Sequence, residues 1–498
     1  MSIQYGALQP DGSVLPSTST VRTCQPSRVH SNKTPANLPL STGEPKVFSQ
    51  GDIAWQLMST ALVWLMIPGV GLFYAGLTRR KNALQLLLMS LIGIAVVSIE
   101  WICMGYSLVF GPSHGGYIGD LQSFGGFTNL LDQDMSNLPI LVHAWYQGTF
   151  ACITVVIAMG ALAERGRLLP SMIFMLCWTI IVYNPIAHWT WNENGWLAVL
   201  GSLDFAGGSP VHINAGTAAL AISFFLGKRR GHGTLQLAYR PHSPVLVFLG
   251  TVFLWIGWFG FNGGSAFGAN MRAAQACIVT NLSASVGGIT WMFLDWRLEK
   301  KISAVGFCSG AIAGLVCITP GSGYVSTPSA FAIGFIGAVA ANFGTKVKDL
   351  LHLDESLDIF ASHGIAGICG NILTALFAEQ GVTNLDGLNS DAEAHSRYRI
   401  NHNYILLGYQ LADTVTVLAY SFVLTYTLLF LINLIPGCKF RASEEDEIIG
   451  MDLAELGEPE SDLYDILHAE VPTITQNQAS SQVGIHSTQA SEKAQESA

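Results

Sequence analysis

His212 and His363 lie inside apolar stretches, where an ionisable side chain is costly and faces either a water-filled cavity or a partner on another helix. Each heads the same frame, His-x-x-Ala-Gly, at 212–216 and 363–367. A neutral imidazole has one donor and one acceptor nitrogen, so a facing pair can pass a proton or bind a small polar solute. The alternative for each is a hydrogen bond that joins two helices. The matched frames favour a pore-lining pair. Phe150 and Phe261 sit at the middle of two other stretches, in Tyr146-Gln147-Gly148-Thr149-Phe150 and Trp258-Phe259-Gly260-Phe261-Asn262, where spacing alone reads them as core or lipid-facing rings. Trp189, Trp191 and Trp196 form an interfacial aromatic belt, whose ring faces also attract a small cation. Ser265 ends the glycine-rich break Asn262-Gly263-Gly264-Ser265, where a hydroxyl satisfies backbone or accepts from a solute. Asp204 precedes a Gly-Gly and Pro break just before His212, a position suited to capping a helix rather than to holding a cation. Glu100 is an acid within a stretch, expected to pair internally and assigned no chemical step.

The elements that carry these residues are set by composition. Half of the 498 residues are apolar and 12% are charged, against about 25% charged in a soluble domain. Apolar segments run at approximately 53–77, 83–110, 140–163, 168–187, 209–227, 244–267, 272–294, 302–319, 328–345, 356–379 and 403–436. Each is long enough to cross a hydrocarbon core as a helix with its backbone satisfied internally. The 52 glycines allow the close helix approach that membrane packing requires. Arg79, Arg80, Lys81, Arg165, Arg167, Lys228, Arg229, Arg230, Arg240, Arg297, Lys300, Lys301, Lys346, Lys348, Lys439 and Arg441 all fall on one side of this arrangement, which the positive-inside rule makes the cytoplasm. Arg397 and Arg399 are exceptions in a longer loop. The N-terminus is then extracellular and the C-terminus cytoplasmic.

Residues 1–50 read as a flexible extracellular tail, in which Asn32-Lys33-Thr34 is a glycosylation sequon weakened by Pro35. Residues 51–438 form the membrane domain. Residues 439–498 form an acidic cytoplasmic regulatory tail, whose thirteen acids against three bases account for the whole formal charge of −10. Seven cysteines, Cys103, Cys152, Cys177, Cys277, Cys308, Cys317 and Cys369, fall in apolar runs without metal-ligand spacing and read as buried small hydrophobes. No cofactor or nucleic-acid partner is expected, and no motif with a complete set of catalytic groups points to an enzyme.

The His frames are five spans apart, in the fifth and tenth. Because five is odd, the copies have opposite orientation, which predicts an inverted repeat with a site near the midplane. Ala-Cys-Ile-Thr at 151–154 and Val-Cys-Ile-Thr at 316–319, in the third and eighth spans, support the same period. The expected fold is an all-α polytopic membrane protein: eleven transmembrane helices, a five-plus-five inverted repeat and an additional last helix.

The run from Asp204 through Gly216 resembles the signature of the ammonium transporter family, the methylammonium/ammonium permeases related to Rhesus proteins. Further matches are Pro68-Gly69 through Gly76, Gly105-Tyr106-Ser107, Gln147 through Thr154, Gly160 through Arg165, Trp258 through Ser265, and Ser362-His363-Gly364, so the resemblance covers about residues 51–460. It implies a homotrimer in the plasma membrane with one pore per subunit. It also implies an ammonium recruitment site at Trp191, Phe150 and Ser265, with Trp189 as the alternative tryptophan. Phe150 and Phe261 would be a stacked gate, His212 and His363 the paired pore histidines, and Asp204 a structural acid. Histidine rather than glutamate at 212 resembles the fungal permeases that double as ammonium sensors. Gly450-Met451-Asp452 and Leu456-Gly457-Glu458 resemble a regulatory tail segment, without its usual histidine before Gly457, which implies a kinase or regulator acting on the tail. The expected function is ammonium uptake by recruitment, deprotonation and conduction. The alternatives are a signalling receptor with vestigial transport and a Rhesus-type gas channel, the latter disfavoured because a neutral gas needs no cation recruitment site.

Overall fold

The computed structural model describes residues 48–130, 134–135, 138–234, 241–387 and 403–458. Asn32, Arg240, Arg397, Arg399 and the tail beyond residue 458 lie outside them. Among the described residues eleven helices are long and apolar enough to cross a membrane: Gln50–Leu77, Arg80–Phe110, Ile140–Leu162, Leu168–Leu200, Gly208–Leu226, Pro244–Gly264, Met271–Glu299, Ala304–Gly321, Thr327–Leu350, Phe360–Phe377 and Ile405–Asn433. The fold is an all-α polytopic membrane protein. Polar residues start several spans: Ser49, Ser243, Asn270 and Ser303 accept hydrogen bonds from first-turn N–H groups that the helix cannot satisfy itself.

The fourth span is longer than its apolar run. It does not end at 187 but continues to Trp191 and, after a turn at 192–195, to Leu200. The helix passes Pro185 by widening into a π-helical turn at Thr179–Tyr183, which accommodates the bond that proline cannot make. Cys103 is exposed on the outer surface of the second span and is not the buried hydrophobe expected.

The repeat is visible in the packing. The first and sixth spans, equivalent in the two halves, lie against each other over most of their length. The fifth and tenth cross at the shared motif. A Cβ on Gly216 would fall 2.3 Å from the Gly364 nitrogen, and one on Gly367 would press against Ile213 and the His212 Cβ. Each motif glycine thus makes room for the backbone beside the other copy's histidine, a reciprocity that a pseudo-twofold axis demands. Both histidines sit in π-helical turns, Gly208–Ile213 and Phe360–Ile365.

Candidate functional site

Five of the side chains singled out from sequence, Trp191, Phe150, Phe261, His212 and His363, come together in one file. Trp191 stands edge-on to Phe150, centroids 5.8 Å apart at 86°, and Phe150 stacks on Phe261 at 4.1 Å and 23°. The Phe261 centroid is 5.8 Å from His212, which lies flat against Trp258 at 5.3 Å. His212 and His363 meet through their Nδ1 atoms, 3.2 Å apart. That geometry is a single hydrogen bond in which one ring donates and the other accepts, so the two neutral rings carry opposite tautomers at Nδ1. His212 Nε2 has no partner among the described residues. Beyond the pair, His363 and Trp258 line a cavity of about 330 Å³ that also touches Ser362, Asp358, Asp295 and Glu299.

Ser265 caps the end of the sixth span, four residues after Phe261. Its hydroxyl donates to the Phe261 carbonyl at 2.9 Å, which leaves its lone pairs as acceptors. Tyr146, assigned no role from sequence, packs on Phe150 at 4.9 Å, and its hydroxyl bonds the Gly260 and Phe261 carbonyls and approaches Ser265 at 3.2 Å. It ties the third span to the end of the sixth where the two phenylalanines stack. Trp189, the alternative to Trp191, is elsewhere: its Nε1 donates to the Tyr117 carbonyl and its ring packs on Trp196 and Tyr420.

Asp204 does not face the file. Its carboxylate accepts the N–H groups of Gly207, Gly208 and Ser209 at 2.7–2.8 Å, closing the start of the fifth span. Burial pushes its pKa up to about 6 against the lowering effect of these N–H groups. Its carbonyl accepts the Trp191 indole N–H at 3.3 Å, so one residue fixes both the helix start and the tryptophan. Glu100 accepts from Asn184 Nδ2 at 2.8 Å, an internal pairing away from the file.

Arg272, absent from the basic set above, lies at the end of the molecule where Trp191 sits. Its guanidinium covers the rings of Phe205 and Tyr324 at 4.9 and 5.0 Å and donates to the Gly323 carbonyl.

The connections rich in Arg and Lys meet at the other end. Arg229 donates to Glu164 at 2.9 Å and through two nitrogens to Asp354 at 2.8 Å, while Arg79 reaches Glu164 from the first connection. Burial raises the pKa of both acids, but the guanidinium charges win and hold Glu164 and Asp354 below the usual carboxylate range. The acidic tail docks here. Phe440 and Ala442 pair with the backbone of Arg167 and Arg165. Glu447 accepts from Arg441 at 2.8 and 2.9 Å and from the Arg230 N–H at 2.9 Å. Asp452 caps the second span through Leu84 and Gln85, and Glu455 bonds Arg167 and Leu168. Gly450, at φ 102°, lies where a Cβ would strike the Lys81 carbonyl. None of these contacts was legible beforehand except as a loose motif match.

Residues 54–461 match the model of the Ammonium Transporter Family. The chain is 54% identical over 413 residues to Ammonium transporter 1 of Schizosaccharomyces pombe, covering 82% of each. It is 44% identical to Ammonium transporter MEP2 of Saccharomyces cerevisiae, over 84% of this chain and 85% of the relative. The crystal structure of Candida albicans Mep2 superposes with a TM-score of 0.74 at 43% identity, over 80% of this chain and 88% of that one. The chain belongs to the ammonium transporter family.

Proposed function

We propose that this chain takes ammonium up across the plasma membrane by recruiting the cation, removing its proton and conducting ammonia past a histidine pair. The observation that carries the reading is the unbroken file Trp191, Phe150, Phe261, His212, His363, ending in a cavity. Membership of the family and the MEP2 likeness support ammonium as the solute. The basic end, with the docked tail, is assigned to the cytoplasm by the excess of Arg and Lys in its connections. Ammonium then arrives from the extracellular side.

At that side the Trp191 and Phe150 faces attract a small cation, and the Ser265 lone pairs accept one of its N–H groups. The stacked phenylalanines leave no open passage, so their rings must swing for anything to pass. Beyond them the walls are aromatic, and a bare ion there faces a desolvation cost of up to tens of kcal/mol. Ammonium escapes that cost by giving up a proton. Potassium has none to give, so deprotonation is the selectivity device. The proton travels apart from ammonia, and the Nδ1-to-Nδ1 bond is the group in the file able to relay it. Three such subunits form a homotrimer with one pore each.

The test is ammonium-evoked current in liposomes containing only this purified protein. A saturable current with ammonium and none with potassium is expected. Electroneutral ammonia flux without current would overturn recruitment of the cation and favour the gas channel. The docked tail gives one observation in favour of an added signalling role, subject to a kinase or other regulator at the basic face. Absent uptake with persisting tail-dependent signalling would make signalling the main output.

A further inference from the structure

The eleventh span lies outside the repeat, yet its buried polar side chains hold the turn on which the recruitment site is built. Gln410 is fully buried and grips the main chain of Leu203 at both ends, accepting its N–H at 2.7 Å and donating to its carbonyl at 2.8 Å. One helical turn on, Asp413 accepts the Ser209 hydroxyl at 2.8 Å. The Ser209 oxygen in turn accepts from Asn371 Nδ2 of the tenth span at 2.7 Å, and the same amide reaches Thr414 at 3.3 Å and Asp413 at 3.4 Å. Leu203 and Ser209 bracket Asp204, whose carbonyl holds the Trp191 indole and whose carboxylate closes the fifth span. Ser209 is three residues from His212, and Asn371 is on the helix that carries His363.

We propose that Gln410 and Asp413 are positioning residues for ammonium recruitment, fixing the 203–209 turn from both ends so that Trp191 faces Phe150. The inference rests on the recruitment reading above. A glutamine whose two amide ends bond one residue's N–H and C=O copies a strand pairing and fixes both the height and the tilt of that segment. Packing an apolar side chain there would fill the space but set neither. No Lys or Arg among the described residues bonds Asp413. Its partners are a hydroxyl and an amide, so what it supplies to the turn is an acceptor at a fixed point rather than an ion pair.

The test compares Gln410→Met, which keeps volume and loses both bonds, with Asp413→Ala, Asp413→Asn and Trp191→Leu. Currents are measured against ammonium concentration in liposomes, per amount of folded trimer. Gln410→Met and Asp413→Ala are expected to raise the half-saturating concentration by more than about twofold, and by no more than Trp191→Leu does, while the maximal current falls by less than about half. Asp413→Asn, which still accepts from Ser209, is expected to stay within about twofold of the unaltered protein. Where Asp413→Ala does not fold, Gln410→Met carries the comparison. A lower maximum with unchanged half-saturation in folded Gln410→Met marks a merely structural role and overturns the proposal. So does an Asp413→Asn shift as large as that of Trp191→Leu, which would make the charge itself the requirement. Unchanged half-saturation in Gln410→Met beside a shifted Trp191→Leu overturns this inference alone. No shift in any variant, Trp191→Leu included, overturns the recruitment reading beneath it.

Discussion

Replacing His363 with Asp separates the relay reading of the histidine pair from a purely structural one. The native contact is one hydrogen bond of 3.2 Å between Nδ1 atoms, in a file whose other walls are Trp258, Phe261 and the crossing helix backbones. An aspartate is shorter than the imidazole, so its carboxylate withdraws from His212 and leaves a gap beside the cavity that His363 lines. A monovalent cation in that gap sits about 4 Å from the carboxylate and is stabilised by about 4 kcal/mol at an effective dielectric near 20. At 1.4 kcal/mol per power of ten, that offsets about three powers of ten of the discrimination against potassium. His363→Asp is therefore expected to carry a potassium current that the unaltered protein lacks, and to lose ammonium selectivity. The assay is current in liposomes with potassium or ammonium gradients, alongside size-exclusion chromatography of the trimer. Helix joining alone predicts misfolding, or an equal reduction of flux with potassium still excluded. A folded variant with full ammonium current and full exclusion of potassium would refute the relay and selectivity roles together.

Three further outcomes follow from the contacts described. Trp191→Leu removes the ring edge-on to Phe150 and should raise the half-saturating ammonium concentration about twofold to thirtyfold, as loss of a cation–π contact of about 0.5–2 kcal/mol requires; an unchanged concentration dependence removes Trp191 from the site. Glu447→Ala strips the acceptor from the half-exposed Arg441 guanidinium and from the Arg230 N–H, a loss of about 1–3 kcal/mol for hydrogen bonds to a charged group partly open to water. Limited proteolysis should then cut the tail sooner and the transport rate should change with cation preference intact; equal rates per folded trimer would show the docked tail to be dispensable for gating. Glu355, in the connection before the tenth span, has its pKa pushed by burial from 4.5 up to about 7, with Asp358 adding to the rise. The folded state binds more protons than the unfolded one in that window, so Glu355 makes stability fall as pH rises from about 4.5 to 7. Glu355→Gln keeps an acceptor for the Phe360 N–H and should lose less melting temperature between pH 5 and 8 than the unaltered trimer; identical pH dependence would remove Glu355 from the account.

The spans were legible because a hydrocarbon solvent imposes one length and one composition on any helix that crosses it. His212 and His363 were legible because the frame around them occurs twice. Phe150 and Phe261 were not separable by spacing from rings that face lipid, since a membrane helix is apolar on every side and its period carries no direction; the family resemblance singled them out. Gln410, Asp413, Asn371 and Tyr146 escaped notice for a related reason. Each is an isolated polar group whose partner is more than a hundred residues away or on another helix, and nothing local announces the bond. The apolar run of the fourth span ends at 187, just before His188, and polarity alone gives no sign that the helix continues to Trp191 and, after a turn, to Leu200. Arg272 lies at a span boundary, and its place over Phe205 and Tyr324 is set by residues remote in the chain.

The bond between the two imidazoles has a direction, because only one proton can lie between facing Nδ1 atoms. Passing a proton along the pair reverses that direction. A second proton cannot follow the same way until the rings exchange tautomers, by rotation or by a return transfer through their outer nitrogens. His212, held flat against Trp258, is poorly placed to rotate, whereas His363 borders open space. A relay through the pair, as proposed above, would then work as a turnstile that must be rewound after each passage, and the slower of transfer and rewinding would set a ceiling on proton throughput whatever the supply at the mouth.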